Sequence, residues 1–184
     1  HFIAAQLAST GETLPTLAIM VEAAESGRHV PAALAGCNTD GAVRRIEVAH
    51  VNIRLADGTP RPWAEVDAEF EGLARQAAAQ GRRILLVPSD VSKTGMLAPS
   101  PACAMQLSQI LGGQLDVLVD ACQFRISPAT LRAYLEQGFM VALTGSKFVA
   151  GPPFSGTLLV PAQTAARLRK TPLPAALSAC SVRP

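Results

Sequence analysis

The stretch Met140-Val-Ala-Leu-Thr-Gly-Ser-Lys-Phe-Val-Ala-Gly-Pro-Pro-Phe-Ser-Gly156 joins two apolar runs through a loop rich in glycine and proline. The runs, residues 139–143 and 157–160, each predict a short buried strand. Lys147 lies in the polar turn after the first strand. Burial lowers the pKa of an amine by disfavouring its charged form, which makes the amine a nucleophile toward carbonyl groups. The stretch therefore predicts a reactive lysine, against the commoner alternative of a solvated loop lysine.

The composition predicts one globular domain with a core of aliphatic residues. The chain has 184 residues, of which 49% are hydrophobic, 16% charged and 4% aromatic. The net charge of +2 comes from scattered basic residues, so nucleic acid is not an expected partner. No apolar run has the length of a membrane span, and no signal peptide is present, so a membrane is not expected either.

The cysteines and histidines show neither a C-x-x-C pair nor the spacing of a zinc site. We interpret the four cysteines as reduced core thiols and expect a cytoplasmic protein without a metal. The residues concerned are Cys37, Cys103, Cys122, Cys180, His1, His29 and His50.

Predicted strands and helices alternate along the chain. Strands are expected at 17–21, at 45–55 with a slip in the alternation, and at 84–87, 115–119, 139–143 and 157–160. Helices are expected at 1–9, 63–77, 100–112, 127–138 and 161–168, whereas 22–36 is ambiguous. The helix at 63–77 is amphipathic, with an inward face that begins at Trp63. Two of these helices begin with a Ser-Pro pair, Ser100-Pro101 and Ser127-Pro128, which is typical of an N-cap followed by the first helical residue. This order predicts a three-layer α/β/α domain with a mostly parallel sheet.

Three polar loops follow predicted parallel strands: 89–95, 120–123 and 144–151. Parallel strands place their carboxyl ends at one edge of the sheet, where ligands bind. The loops therefore bring an acid, an amide, hydroxyl groups and a lysine to one crevice. The convergence predicts a functional site there.

Pyridoxal phosphate (PLP) suits these groups better than other common cofactors. The chain has no G-x-G-x-x-G for a nicotinamide cofactor and no G-x-x-x-x-G-K-[ST] for a nucleoside triphosphate. The aldehyde of PLP requires a lysine, its ring nitrogen requires a carboxylate, and its phosphate requires hydroxyl and backbone N–H groups.

Three motifs together resemble the large domain of fold-type I PLP-dependent enzymes, in particular the branch of class V aminotransferases and cysteine desulfurases. They are Val117-Leu-Val-Asp-Ala-Cys-Gln123, Thr144-Gly-Ser-Lys147 and Gly151-Pro-Pro-Phe-Ser-Gly156. The likeness covers residues 80–160 with the cofactor motifs. The pairing of an aspartate and a lysine at neighbouring strand ends is the most specific part of it.

The resemblance implies roles for six residues. Lys147 would form the Schiff base with PLP and move the proton, and Asp120 would pair with the ring nitrogen. Gln123 would contact the ring oxygen or the Schiff base, with a plain loop amide as the alternative. Thr144 or Ser146 would contact the phosphate, and Ser92 lies in a loop that reaches the cofactor, with an ordinary turn as the alternative.

The resemblance also implies a domain truncated at both ends. Residues 1–170 would form a partial PLP-binding large domain, and 171–184 a linker toward a small C-terminal domain. The family's phosphate loop would precede His1, and no aromatic residue that stacks on the ring is evident; His29 is a candidate by position only. The intact enzyme is expected to be a homodimer, because a partner subunit completes the site in this family.

The expected function is that of a PLP-dependent transferase acting on an amino acid, an aminotransferase in the first place. Lyase reactions use the same residues, so elimination and decarboxylation stay open, whereas a desulfurase is disfavoured because Cys122 is fixed beside Asp120. A thiol hydrolase based on Cys122 lacks a histidine placed to act as its base. A non-catalytic α/β binding module, or an inactive fragment of an enzyme, is the main alternative.

Overall fold

The computed structural model describes residues 16–22, 46–92, 94–152 and 155–170, with the backbone alone for 16–22 and 46–47. The predicted helix at 1–9, the ambiguous segment from residue 23, His29 and the predicted linker at 171–184 lie outside the described residues. The secondary-structure elements in chain order are β1 (Thr16–Glu22), β2 (Ile46–Asn52), α1 (Trp63–Ala79), β3 (Arg83–Val87), α2 (Pro101–Leu111), β4 (Leu115–Ala121), α3 (Pro128–Glu136), β5 (Met140–Thr144), β6 (Gly156–Leu159) and α4 (Ala162–Arg169).

The six strands form one sheet in the order β2-β1-β3-β4-β5-β6. β1 to β5 are parallel to their neighbours, and β6 pairs antiparallel with β5 at the edge. β6 reverses direction because only the loop 145–155 separates it from β5, and a parallel connection needs a longer crossover. The mostly parallel α/β fold predicted from the sequence is confirmed.

The two sides of the sheet are packed differently. The larger core lies between one side of the sheet and α1, α2 and α3, around Phe70, Leu107 and Phe139. The crossovers through α2 and α3 run in the same direction along the sheet, and right-handed crossovers then place both helices on the same side. The other side carries a smaller cluster of Leu85, Val87, Leu118 and Met140, partly covered by the segment leading into α4.

An ion pair connects α4 to this second side of the sheet. Asp116 of β4 accepts from Arg167 of α4 at 2.5 Å and from Arg83 of β3 at 2.7 Å. Alternation along β4 places Asp116 on the same side as Leu118. Helices therefore flank both sides of the sheet, as the three-layer prediction requires.

The predicted helix starts are confirmed at α2 and α3. The Ser100 hydroxyl accepts from the Cys103 N–H at 3.1 Å, and the Ser127 hydroxyl accepts from the Thr130 N–H at 3.0 Å, with proline at the first helical position in both cases. Each cap satisfies a backbone donor that the helix itself leaves unpaired. The positions of these helices fix where the loops before them leave the sheet.

Two details of the sequence prediction were wrong. The strand predicted at 45–55 ends at Asn52, before a tight turn at Asp57-Gly58 that the Arg54–Pro60 bridge closes. The slip in its alternation, between Val48 and Val51, lies inside β2, which pairs with β1 in continuous register. Trp63, predicted on the inward face of α1, is 56% exposed, because the buried face begins one turn later at Val66. Among the described ranges, every helix falls short of the length or apolar character needed to cross a bilayer.

Candidate functional site

The loops after β3, β4 and β5 leave the same edge of the sheet, as predicted. Hydrogen bonds extend the β3–β4 pairing beyond the strand end, because the Asp120 N–H donates to Pro88 O at 2.7 Å and the Asp90 N–H donates to Asp120 O at 2.9 Å. The Arg125 guanidinium lies over the Phe148 ring, 5.8 Å from its centroid, and joins the loop after β4 to the loop after β5. The three loops therefore form one connected surface.

Asp120 has an exposed side chain although it lies on a central strand. β3 and β5 flank β4 on its two sides, and Leu118, which shares a face with Asp120, is only 4% exposed. The described structure therefore leaves the sheet open at Asp120. The Cys122 N–H donates to Asp120 Oδ1 at 3.0 Å and fixes the direction of the carboxylate.

Lys147 lies three residues after β5, in a loop closed by its own backbone. The Gly145 N–H donates to Ser155 O at 2.9 Å, the Gly151 N–H to Gly145 O at 2.8 Å and the Ala150 N–H to Lys147 O at 3.1 Å. The Lys147 side chain is exposed, so the burial that the sequence analysis invoked to activate it is not present in this structure. The apolar run ends with β5, and the turn that follows places Lys147 outside the core.

The thiol of Cys122 lies at the same edge of the sheet as Asp120 and Lys147. The pKa of its half-buried thiol is raised to about 11, first by burial and then by the charge of Asp120 and a hydrogen bond to it. A hydrogen bond to Thr144 and the positive charge of Lys147 act in the opposite direction. The charges of both Asp120 and Lys147 therefore act on this one thiol. Because this thiol stays protonated near neutral pH, it is poorly suited to the thiol-hydrolase alternative.

The remaining predicted site residues lie at the same edge. Gln123 is half-buried in the turn directly after β4, Thr144 is the last residue of β5, and Ser146 is half-buried in the lysine loop. Ser92 uses its hydroxyl within its own loop, where Oγ accepts from the Met96 N–H at 3.1 Å and lies 3.2 Å from Thr94 Oγ1. The ordinary-turn alternative for Ser92 therefore has direct structural support.

Two residues of this edge were missed by the sequence analysis. Asp90 follows β3 and is 7% exposed, and Ser155 Oγ is buried beside Gly145 without a hydrogen-bond partner in the described part of the chain. Both lie in stretches that the sequence analysis quoted. A carboxylate directly after a buried strand was the available signal for Asp90, whereas nothing distinguished Ser155 from other loop serines.

Each of the three loops holds one residue in strained backbone. Val91, Phe124 and Ala150 have φ of 53°, 52° and 51°, and within the described ranges they are the non-glycine residues with positive φ. Such a conformation costs about 1–3 kcal/mol and persists only where the surroundings hold it, most often at functional sites. The strain therefore marks the same edge as the polar side chains. In the described ranges, by contrast, no three His, Cys, Asp or Glu side chains are grouped to hold a metal ion.

Gly151 is a position where a methyl group does not fit. A Cβ there would lie 2.8 Å from Gly145 O and 3.2 Å from Gly145 C, which are backbone atoms that cannot move aside. We expect Gly151→Ala to destabilise the fold by about 1–3 kcal/mol, as overpacking does. Gly72→Ala is the matched control, because it lies in α1 with open space around its Cβ and should instead stabilise by about 0.5–1 kcal/mol. Urea denaturation of both variants measures this, and equal effects would contradict the close contact.

Comparison with known proteins shows the fold. No family model and no curated protein matches the chain, whereas solved structures do. A protein from Erwinia carotovora atroseptica SCRI1043 that carries the name histidinol-phosphate aminotransferase is 16% identical, with a TM-score of 0.59 over 92% of this chain and 46% of its own. A PLP-dependent aminotransferase from Streptococcus suis 89-1591 is 12% identical, with a TM-score of 0.54 over 91% of this chain and 41% of its own. TDC from Oryza sativa, solved with PLP and tryptamine, is 13% identical, with a TM-score of 0.58 over 94% of this chain and 38% of its own.

These similarities establish that the chain has a fold that occurs in PLP-dependent proteins, where it forms one portion of a longer chain. The chain spans less than half the length of each of the three proteins. They belong to more than one kind of PLP-dependent protein, and none of them distinguishes the branch of class V aminotransferases and cysteine desulfurases.

Proposed function

We propose that the chain binds pyridoxal phosphate and forms part of an enzyme that acts on an amino acid, with transamination as its reaction. The observation that carries the proposal is that Asp120, near the end of β4, and Lys147, in the loop after the neighbouring strand β5, lie at one edge of the sheet with exposed side chains. An acid for the ring nitrogen and an amine for the aldehyde are the two groups that this cofactor requires from a protein. The fold shared with PLP-dependent proteins supports the same assignment.

The residues present fit the cofactor. Asp120 would hold a proton on the ring nitrogen, and its open position on a central strand leaves room for a ring. Lys147 would bind the aldehyde as a Schiff base, and its exposed amine is accessible to one. When bound, PLP supplies an electron sink for the bond-breaking step.

The phosphate would lie at the start of the lysine loop. The hydroxyls of Thr144 and Ser146 are at this position, and the buried Ser155 hydroxyl, which has no partner in the described structure, offers a further donor. A buried hydroxyl without a partner is uncommon and costs stability, and an anion at this point would satisfy it. Gln123 would contact the ring oxygen, whereas Ser92 would reach the cofactor only if its hydroxyl leaves Met96.

In the proposed reaction, the Lys147 amine would take a proton from the substrate as a general base and return it as a general acid. The Cys122 N–H would hold the Asp120 carboxylate in one orientation, in which it could pair with a protonated ring nitrogen. Elimination and decarboxylation would use the same two residues. The substrate class that we propose is therefore an amino acid, with transamination as the first reaction to test.

A homodimer is also part of the proposal. Phe148 and Val149 follow Lys147 directly and are 66% and 50% exposed, so an apolar surface adjoins the candidate site. Contact with a second copy would cover this surface and exclude water from the amine. We also propose a cytoplasmic location, in keeping with Cys103 and Cys122, which are both free thiols in the described structure.

A protection experiment on Cys122 tests the site. We expect PLP to slow the alkylation of Cys122 by iodoacetamide severalfold, because a ring held by Asp120 would shield the half-buried thiol of its neighbour Cys122. The reaction is run at mildly alkaline pH, since a pKa of about 11 leaves little thiolate at neutral pH. Modification is followed by the masses of peptide fragments.

Cys103 is the matched control, because it is free, 8% exposed and located in α2. Its rate of alkylation should be slow and independent of PLP, and inorganic phosphate should leave Cys122 reactive. Equal rates at Cys122 with and without saturating PLP would contradict the proposed site. That result would favour the alternative of a non-catalytic α/β domain.

A further inference from the structure

We propose that Arg125 binds a carboxylate group of the amino-acid substrate and so determines which amines the site accepts. The inference rests on the proposed function and deepens it, because it names the group of the substrate that the chain recognises. It also assigns a role to an exposed cation that the proposed chemistry leaves unused.

Arg125 lies over an aromatic ring instead of beside a carboxylate. Its Cζ atom is 5.8 Å from the centroid of the Phe148 ring, which is the distance of a cation–π contact. Arg61 and Arg75 pair with glutamates, whereas the ion pairs within the described ranges do not include the exposed Arg125. The ring orients the planar guanidinium and leaves its N–H donors available to a ligand.

The turn before Arg125 is held in place by the core. The Phe124 N–H donates to Ala121 O at 2.8 Å, and the Phe124 side chain packs against the larger core. Phe124 has φ of 52°, a strained conformation that persists only where the surroundings maintain it. The direction in which the chain reaches Arg125 is therefore fixed.

Phe148 is held in a closed turn on the other loop. The Ala150 N–H closes this turn by donating to Lys147 O at 3.1 Å, and Phe148 directly follows Lys147. The Arg125 guanidinium therefore lies over the neighbour of the residue that would bind the aldehyde of PLP. A substrate whose amino group approaches Lys147 would bring its carboxylate toward this guanidinium.

The surroundings of Arg125 favour an anion. Arg125 and Lys147 are the only charged residues in the two loops that carry them, 121–127 and 145–152. α3 follows the first of these loops and has no acidic residue in its first turn, so the partial positive charge of its N-terminus is not offset there. Among anions, a carboxylate matches the fork of a guanidinium through two parallel hydrogen bonds. A second copy that covers the exposed part of the Phe148 ring would exclude water and strengthen this ion pair.

Arg125→Ala tests the inference in the chain loaded with PLP. The ligands are L-glutamate, L-leucine and 3-methylbutylamine, which is leucine without its carboxylate, and their affinities are read from the absorbance change of bound PLP. We expect the affinity for an amino acid to fall by about three- to tenfold, between the effect of an exposed ion pair and that of a charge-assisted hydrogen bond. The affinity for the amine should stay unchanged. A loss for both amino acids identifies the α-carboxylate as the group bound, and a loss for glutamate alone identifies the side-chain carboxylate.

Two further variants separate recognition from a general effect of charge or packing. Arg132→Ala removes an exposed arginine of α3 and should leave all three affinities unchanged. Phe148→Leu removes the ring and keeps an apolar side chain, so it should cause a smaller loss than Arg125→Ala. Combined with Arg125→Ala it should add nothing, because the ring acts through the guanidinium.

A second measurement needs neither turnover nor PLP. Phenylglyoxal modifies arginine side chains, and the masses of peptide fragments locate the modified residues. Glutarate, a dicarboxylate without an amino group, should slow the modification of Arg125 severalfold and leave that of Arg132 unchanged, both with and without PLP.

The outcomes distinguish this inference from the proposed function. Failure of the unchanged chain to bind PLP would overturn the proposed function, and protection by glutarate would then still decide whether Arg125 binds a carboxylate. Binding of PLP together with unchanged affinities for amino acids in Arg125→Ala would overturn the role of Arg125 alone. An equal loss of affinity for 3-methylbutylamine would also overturn it, and so would equal protection of Arg125 by inorganic phosphate, which would show attraction of any anion.

Discussion

Lys147→Ala is expected to abolish the covalent capture of pyridoxal phosphate by borohydride. Reduction traps a Schiff base as a stable secondary amine, so the mass of the cofactor stays on the lysine that formed it. Lys147 is the candidate because its side chain is exposed at the same edge of the sheet as Asp120. The unchanged chain should carry one added cofactor mass, and the variant none.

Digestion with trypsin identifies which lysine carries the label, because the chain has only three lysines, Lys93, Lys147 and Lys170. A reduced adduct blocks cleavage after Lys147, so the labelled peptide should run from residue 133 to residue 167. Lys93→Ala and Lys170→Ala are the matched controls and should keep the label. Lys147→Arg retains the charge but cannot form the adduct, and separates covalent capture from electrostatic attraction. Undiminished labelling in Lys147→Ala would contradict the assignment.

The fold could be predicted from the sequence because local signals agree with it. Continuous apolar runs such as 84–87 and 115–119 are typical of strands buried on both sides, and the Ser-Pro pairs mark the helix starts. The order of the strands could not be predicted, because the insertion of β1 between β2 and β3 depends on pairing between distant segments. The end of β2 was placed three residues too far because the apolar residues of the following turn continue the pattern.

The candidate site was predictable in its location more than in its geometry. Strand ends in a parallel sheet meet at one edge, so the sequence already placed Asp120 and Lys147 together. The exposure of Lys147 was not predictable, because it depends on the path of the turn after β5. The positive φ of Val91 was not predictable either, because a β-branched residue gives no signal for it in the sequence.

Asp120→Asn is expected to weaken PLP binding by about 10- to 100-fold. The carboxylate would make a charge-assisted hydrogen bond to the protonated ring nitrogen, and such a bond contributes about 1.5–3 kcal/mol. Each 1.4 kcal/mol is a tenfold change in Kd, which gives the expected range. Asparagine keeps the shape and can still accept from the Cys122 N–H, so the fold should be unaffected. Fluorescence titration with PLP measures the affinity, and thermal denaturation checks the fold.

Asp116→Asn is the matched control, because Asp116 lies on the same strand and the same side of the sheet, at its opposite end. It pairs with Arg83 and Arg167, so its loss should lower stability and leave the affinity for PLP unchanged. The absorbance spectrum of bound PLP gives a second, independent readout. Asparagine at position 120 would not hold a proton on the ring nitrogen, and PLP would then withdraw electrons less effectively. The same affinity and the same spectrum in Asp120→Asn as in the unchanged chain would show that Asp120 is not part of the site. Lys147 alone would not support the assignment to pyridoxal phosphate, because a single reactive lysine also occurs in proteins that use other aldehydes and ketones.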